Sequence, residues 1–112
     1  MFRGRSQLAE VCRLLTNDIA PQELWTRSGP TAAARALLDD SVARLGGTQR
    51  TMVQIAFWLW GDGGRGPSFG VAVELLDKVH LRRVGSLLSA MADGADAIDR
   101  WIRNNGGFVG DA

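Results

Sequence analysis

The sequence predicts an all-α fold: a compact bundle of five to six short helices around a central apolar helix at 48–60. Three observations predict it. Apolar residues recur at spacings of three and four in one segment after another. The strict alternation that marks a half-buried strand is missing throughout. The gaps between periodic segments carry Gly, Pro, Asn and Asp, which interrupt helices. At 112 residues the chain suits one helical domain spanning 1–112, large enough to bury a core, with 1–5 and 107–112 as loose termini.

Ser6 is expected to cap a first helix running to about Thr16, with Leu8, Val11, Cys12 and Leu15 on one face. Pro21 suits the first turn of a short second helix, PQELWTR, which carries Trp25. Ser28-Gly29-Pro30 stops it. Thr31 then caps a third helix to about Leu45, where Ala34, Leu37, Leu38, Val42 and Leu45 form a stripe and Arg35 faces Asp39 four residues on. Gly46-Gly47 ends it, since glycine adopts a left-handed cap at little cost.

Thr48 is expected to cap the central helix. Met52, Val53, Ile55, Ala56, Phe57, Leu59 and Trp60 cover more than half of its circumference, and Arg50, Thr51 and Gln54 form a narrow polar strip beside Trp58. The run from Gly61 to Pro67 must be a loop. Ser68 opens the next segment, in which Ala72, Leu75, Leu76 and Val79 keep the helical period. Val84, Leu87, Leu88 and Met91 keep it again after a break near His80, as two helices or one bent one. Asp93-Gly94 precedes a last helix at 95–104, with Ile98, Trp101 and Ile102 inward and Asp96–Arg100 and Asp99–Arg103 paired on its surface.

Composition narrows the function classes. Thirteen basic residues against twelve acidic ones leave a net charge of +1, which makes no electrostatic case for nucleic acid or an anionic membrane. The longest apolar run, Ile55–Trp60, is far short of the roughly 20 residues that span a bilayer. The N-terminal residues lack the apolar core of a secretory signal, and Cys12 is the only cysteine, so a reducing, cytoplasmic setting is expected. Cys12 reads as a small buried hydrophobe.

The candidate motifs have plain structural explanations beside the functional ones. Gly61-x-Gly63-x-x-Gly66 spells a dinucleotide fingerprint, but that mechanism needs a strand before it and a helix N-terminus after it. Here a helix precedes and Pro67 follows, so an interhelix loop is expected, with Arg65 as its one basic contact for a partner. His80 has no second His for a metal and no nucleophile at a telling spacing, so it reads as a helix-boundary residue. Asp93, Asp96 and Asp99 repeat at three without a calcium-loop pattern, which points to capping. Lys78, Arg82 and Arg83 cluster around a possible helix–turn–helix at 69–91, where a recognition helix would need polar residues such as Ser86 and Ser89 at base edges. No pair of polar residues is arranged for acid–base or nucleophilic work, so no enzyme, cofactor or metal is expected.

ARALL at 34–38, GTQR at 47–50, VQIAFWLW at 53–60 and Phe69 after the glycine loop follow one another in a suggestive order. From Ala33 to Met91 the chain resembles an uncharacterised family of small helical proteins from bacterial plasmids and integrative conjugative elements. It departs from that family where Leu59 separates Trp58 from Trp60 and where Gly70, in place of an acidic residue, follows Phe69. The resemblance implies a mobile-element or phage setting and carries over no activity and no site residue.

The expected function is therefore a non-catalytic protein-binding module of a bacterial mobile element or phage. It would regulate or inhibit a larger complex, for instance a defence complex in the manner of an anti-CRISPR, or bind a second copy of itself. Four Trp in such a chain favour an aromatic interface. Trp60 and Trp101 are assigned to the core. Trp58, Arg65, Trp25, Gln54 and Arg50 are the expected partner-binding residues. The alternative is a small DNA-binding transcriptional regulator using helices 69–92, with Lys78, Arg82 and Arg83 on the nucleic acid.

Overall fold

The structure, a computed structural model, describes residues 1–19, 23–39, 47–61 and 68–110. Six helices and one hairpin lie among these residues: α1 (Arg5–Leu15), β1 (Trp25–Thr26), β2 (Gly29–Pro30), α2 (Ala32–Asp39), α3 (Gly47–Trp60), α4 (Phe69–Glu74), α5 (Lys78–Asp93) and α6 (Ala95–Asn104). The chain is mostly helical and compact. Its radius of gyration is 13.2 Å, against about 13 Å expected for a domain of about 100 residues.

The first helix is covered on two sides. Leu8, Val11, Cys12 and Leu15 are buried as the periodicity requires, and Gln7, Ala9 and Leu14 are buried as well. The wider arc arises because α1 packs against α3, α6 and both strands at once. Ser6 is not its cap: the helix opens two residues earlier, with Gly4 at the cap position and no side-chain cap bond among the described residues. Helix α3 packs against α1, α2 and α4, whereas α5 packs chiefly on α6. Among the described residues the packing is shared between α1 and α3. Thr48 does not cap α3 either. The helix begins at Gly47, and the Thr48 hydroxyl donates to the Leu75 carbonyl at 3.1 Å. Thr51, assigned to the polar strip, is buried, because its hydroxyl donates back to the Gly47 carbonyl at 2.7 Å and leaves its methyl to the core.

The expected helix PQELWTR is not formed over its described part. Trp25 pairs with Pro30 and Thr26 with Gly29 in an antiparallel hairpin. The Thr26 hydroxyl donates to the Gly29 carbonyl, and the Ser28 N–H donates to the same hydroxyl. Gly29 takes φ 125°, which glycine alone adopts readily. The extended backbone sends the whole indole of Trp25 inward, and tertiary packing outweighs the local helical signal.

Thr31 does cap α2, accepting from the Ala34 N–H at 3.3 Å. The expected continuation through Val42 and Leu45, the Gly46 stop and Pro21 lie outside the described residues, as do the last two positions of the expected loose C-terminus. Ser68 caps α4 through the Val71 N–H. The interruption before α5 falls at Leu75–Asp77, ahead of His80, and gives two helices. The Asp77 carboxylate caps α5 by accepting the His80 N–H at 2.9 Å, a stronger start signal than histidine offers. Gly94, at φ 102°, separates α5 from α6.

Ile98, Trp101 and Ile102 are buried on α6. Its C-terminus closes in a Schellman arrangement: the Gly106 N–H donates to Arg103 and the Gly107 N–H to Ile102, with Gly106 at φ 81°. The terminal segments carry contacts. Arg3 holds Asp96 and Asp99 at 2.8 and 2.6 Å, so those carboxylates turn to the N-terminus instead of to Arg100 and Arg103. The Phe108 N–H donates to Glu10 at 2.7 Å.

Gly29→Ala tests the docking of the hairpin. An added Cβ would sit 2.6 Å from Trp60 Cζ2 at a φ that side chains disfavour. The expected loss exceeds about 1 kcal/mol, read as a lower urea midpoint. An unchanged midpoint would mean that the turn does not rest on Trp60.

Candidate functional site

The sequence-predicted partner residues separate on folding. Arg50, Gln54 and Trp58 follow one another four residues apart along α3, and all three are half-buried. The Trp58 ring lies 6.0 Å from that of Phe69 at a tilt of 59°. This contact joins the end of α3 to the start of α4, while the Thr48–Leu75 bond joins the start of α3 to the end of α4. Helix α4 therefore runs antiparallel beside α3. It turns Ala72 into the core, and Leu76, just past its end, is buried as well. Phe69, Val71 and Leu75 remain 44%, 49% and 52% exposed. The half-covered indole of Trp58 meets Phe69, Val71 and Leu75 are exposed farther toward the start of α3, and Gln54 and Arg50 follow Trp58 along the same line of α3.

Trp25 does not belong to it. It is fully buried, with ring centroids 5.3 Å from Phe57 and 5.5 Å from Trp60. The hairpin, which places it between helices, is the reason. Its Nε1–H is buried without an acceptor among the described residues. Trp60, assigned to the core, is only half-buried, and the Arg5 guanidinium covers it 4.1 Å above the ring. Trp101 is buried as expected and donates to the Ser86 hydroxyl at 2.9 Å. Arg65, like the fingerprint residues Gly63 and Gly66, lies outside the described residues.

Phe69, Val71 and Leu75 were not singled out as contacts from the pattern. A signal existed. Residues 69–76 are apolar on nearly every side of a helix too short to be surrounded, so some of that surface has to face outward.

The basic cluster divides. Lys78 and Arg82 are exposed one turn apart, but Arg83 is half-buried and points to Asp18 at 3.9 Å. Ser86, a candidate for base edges, is engaged by Trp101. His80 is held from both sides: Nδ1 lies 2.7 Å from Asp77 Oδ1 and Nε2 lies 2.6 Å from Asp18 Oδ2. Asp18 is sixty-two positions away, which spacing along the chain cannot signal. Burial lowers the His80 pKa, but the hydrogen bonds and charges of the two carboxylates outweigh it, and the net shift is upward. Asp77 is held below its usual range, first by the His80 N–H and then by the imidazole.

A cavity of about 460 Å³ lies between α1, the hairpin, α6 and the segment at 108–110. Its charged walls largely answer one another. Arg3 is taken by Asp96 and Asp99, and Arg13 holds Glu10 through two bonds of 2.6 and 2.9 Å. Burial raises the Glu10 pKa, yet Arg13 and the Phe108 N–H bring it below the ordinary value. Arg27 and Glu23 also line the cavity. The Cys12 thiol donates to the Ala56 carbonyl at 3.3 Å, and burial pushes its pKa far up, so it is no thiolate at neutral pH. Among the described residues no three His, Cys, Asp or Glu side chains gather as metal ligands, and no helix is long and apolar enough to cross a membrane. Comparison with known protein families, characterised proteins and solved structures gives no match.

The His80 clamp has a defined pH signature. Its folded pKa stands above the unfolded value of about 6.5. The stabilisation is therefore complete below that value and lost as pH rises through the folded pKa. The urea midpoint of the wild type should exceed that of His80→Gln at pH 6, and the gap should shrink toward pH 9. A gap that widens with pH would refute the clamp.

Proposed function

We propose that this chain is a non-catalytic protein-binding module that docks on a larger protein through Trp58, Phe69, Val71 and Leu75. The observation that carries the reading is the exposed apolar surface of α4 set against the Trp58 ring. Large exposed hydrophobes rimmed by polar groups mark interaction sites, and tryptophan is enriched among the residues that dominate binding energy. Gln54 and Arg50 would serve as its polar edge. In the plasmid, conjugative-element or phage setting that the family resemblance implies, such a module regulates or inhibits a larger complex. Obstruction of a bacterial defence assembly, as by an anti-CRISPR, is the concrete form of this reading.

The competing reading is a DNA-binding regulator that uses 69–92. Its support is the exposed pair Lys78 and Arg82. Arg83 is drawn toward Asp18 and Ser86 toward Trp101, which leaves few groups to read bases.

Two measurements separate them. Trp58→Ala and Phe69→Ala should each weaken capture of the partner that the wild type retains from its host by about 30-fold, the effect of losing a binding hot spot. Lys78→Ala with Arg82→Ala should leave that capture unchanged. On duplex DNA the wild type should show no binding at about 50 mM salt. Binding whose logarithm falls steeply with the logarithm of salt concentration would instead establish the regulator.

A further inference from the structure

Helix α5 carries two apolar stripes, and the fold uses one. Val84 and Leu87 are buried, with His80 and Met91 half-buried in line with them. Shifted by one residue, Leu81, Gly85, Leu88 and Ala92 form a second stripe at the same spacing of four, three and four, and all four are exposed. Leu81 and Leu88 are 45% and 43% exposed. Gly85 weakens the helix at its middle, where glycine is disfavoured. Nothing among the described residues requires it: a Cβ there would meet none of their atoms within 4 Å. A notch between two leucines on an outward face suits the close approach of another helix.

We propose that this stripe is the interface of a two-fold dimer, in which α5 packs antiparallel against α5 of a second copy. The stripe is complementary to itself only in that orientation. With the two-fold axis between positions 85 and 88, Leu88 of each copy falls over Gly85 of the other, and Leu81 falls opposite Ala92. The charges follow the same symmetry. Lys78, Arg82 and Asp93 lie along one border of the stripe, and none of them takes part in an ion pair among the described residues. Asp93 of each copy falls opposite position 80 of the other, between Lys78 and Arg82. A parallel pairing would set this border against the opposite border of the second copy and lose the match between Asp93 and the two basic side chains. An isologous interface of this kind closes as a dimer and does not propagate. It uses a face of α5 distinct from the α3–α4 surface, so the two proposals stand or fall separately.

The test uses the purified full chain in sedimentation and light-scattering measurements over a concentration series. The wild type should pass from monomer to dimer below about 1 mM. Gly85→Arg should remain monomeric through the series while its helicity and thermal midpoint equal or exceed the wild type's, because the added side chain meets open space within the monomer. Arg82→Glu and Asp93→Arg should each weaken the dimer by at least about threefold, and the two together should restore it. Trp58→Ala should leave it unchanged. A monomeric wild type, or a dimer that survives Gly85→Arg, overturns the proposal. Failure of the charge exchange to restore association overturns the antiparallel arrangement.

Discussion

The contact on which the rest of the structure depends is the approach of α1 to α3, where the Cys12 thiol meets the Ala56 carbonyl. Small side chains at both positions let the helices come close enough for a sulfur to reach backbone oxygen. Beside that point, Phe57 and Trp60 project from α3, and the hairpin fills the space next to them with Trp25. The indole buries a large apolar area, and a tilted or edge-on arrangement of aromatic rings adds to it. With one flank occupied by α3 and the hairpin, α1 offers its other flank to α6. That second contact is secured by polar groups: Arg3 reaches Asp96 and Asp99, and Gln7 donates to Asp99 and to the Ala95 carbonyl.

This arrangement explains why the far side of the molecule is apolar at its surface. Helix α5 is held mainly by α6, and α4 by α3, so each is covered over only part of its circumference. Their sequences are apolar over more than that part. The Asp18–His80–Asp77 clamp adds a polar fastening where α5 begins and ties it to the residues after α1. A helix fastened at one end by charge and along one side by α6 keeps its remaining side available. The exposed residues of α4 and α5 are a consequence of the core being organised elsewhere.

Several features were legible from the chain. The inward faces of α1 and α6, the Thr31 and Ser68 caps and the interruption at Gly94 follow from spacing and from residue types with strong local preferences. Local preference failed where a longer-range contact competed with it. Thr48 looks like a cap but is drawn to Leu75, and Asp96 and Asp99 look like partners for arginines four residues on but are drawn to Arg3. Trp58 was visible because its direction on the helix falls beside a polar strip. Phe69, its neighbour across the α3–α4 contact, was visible only as an unassigned apolar residue.

The sequence by itself determined most of the helical segments and which side of each is apolar, because both depend on interactions within a few residues, whereas the hairpin at Trp25–Pro30 did not follow from local preference. It could not determine how much of each apolar side would be used, since that depends on how many neighbours arrive. Trp25 and Trp58 make the point. Both stand close to polar residues, yet one is enclosed between two aromatic rings and the other is left half-open at the surface. Only the tertiary structure decided between them. Burial is a property of the space between elements, and that space is set by contacts such as Cys12–Ala56 that join residues forty-four positions apart.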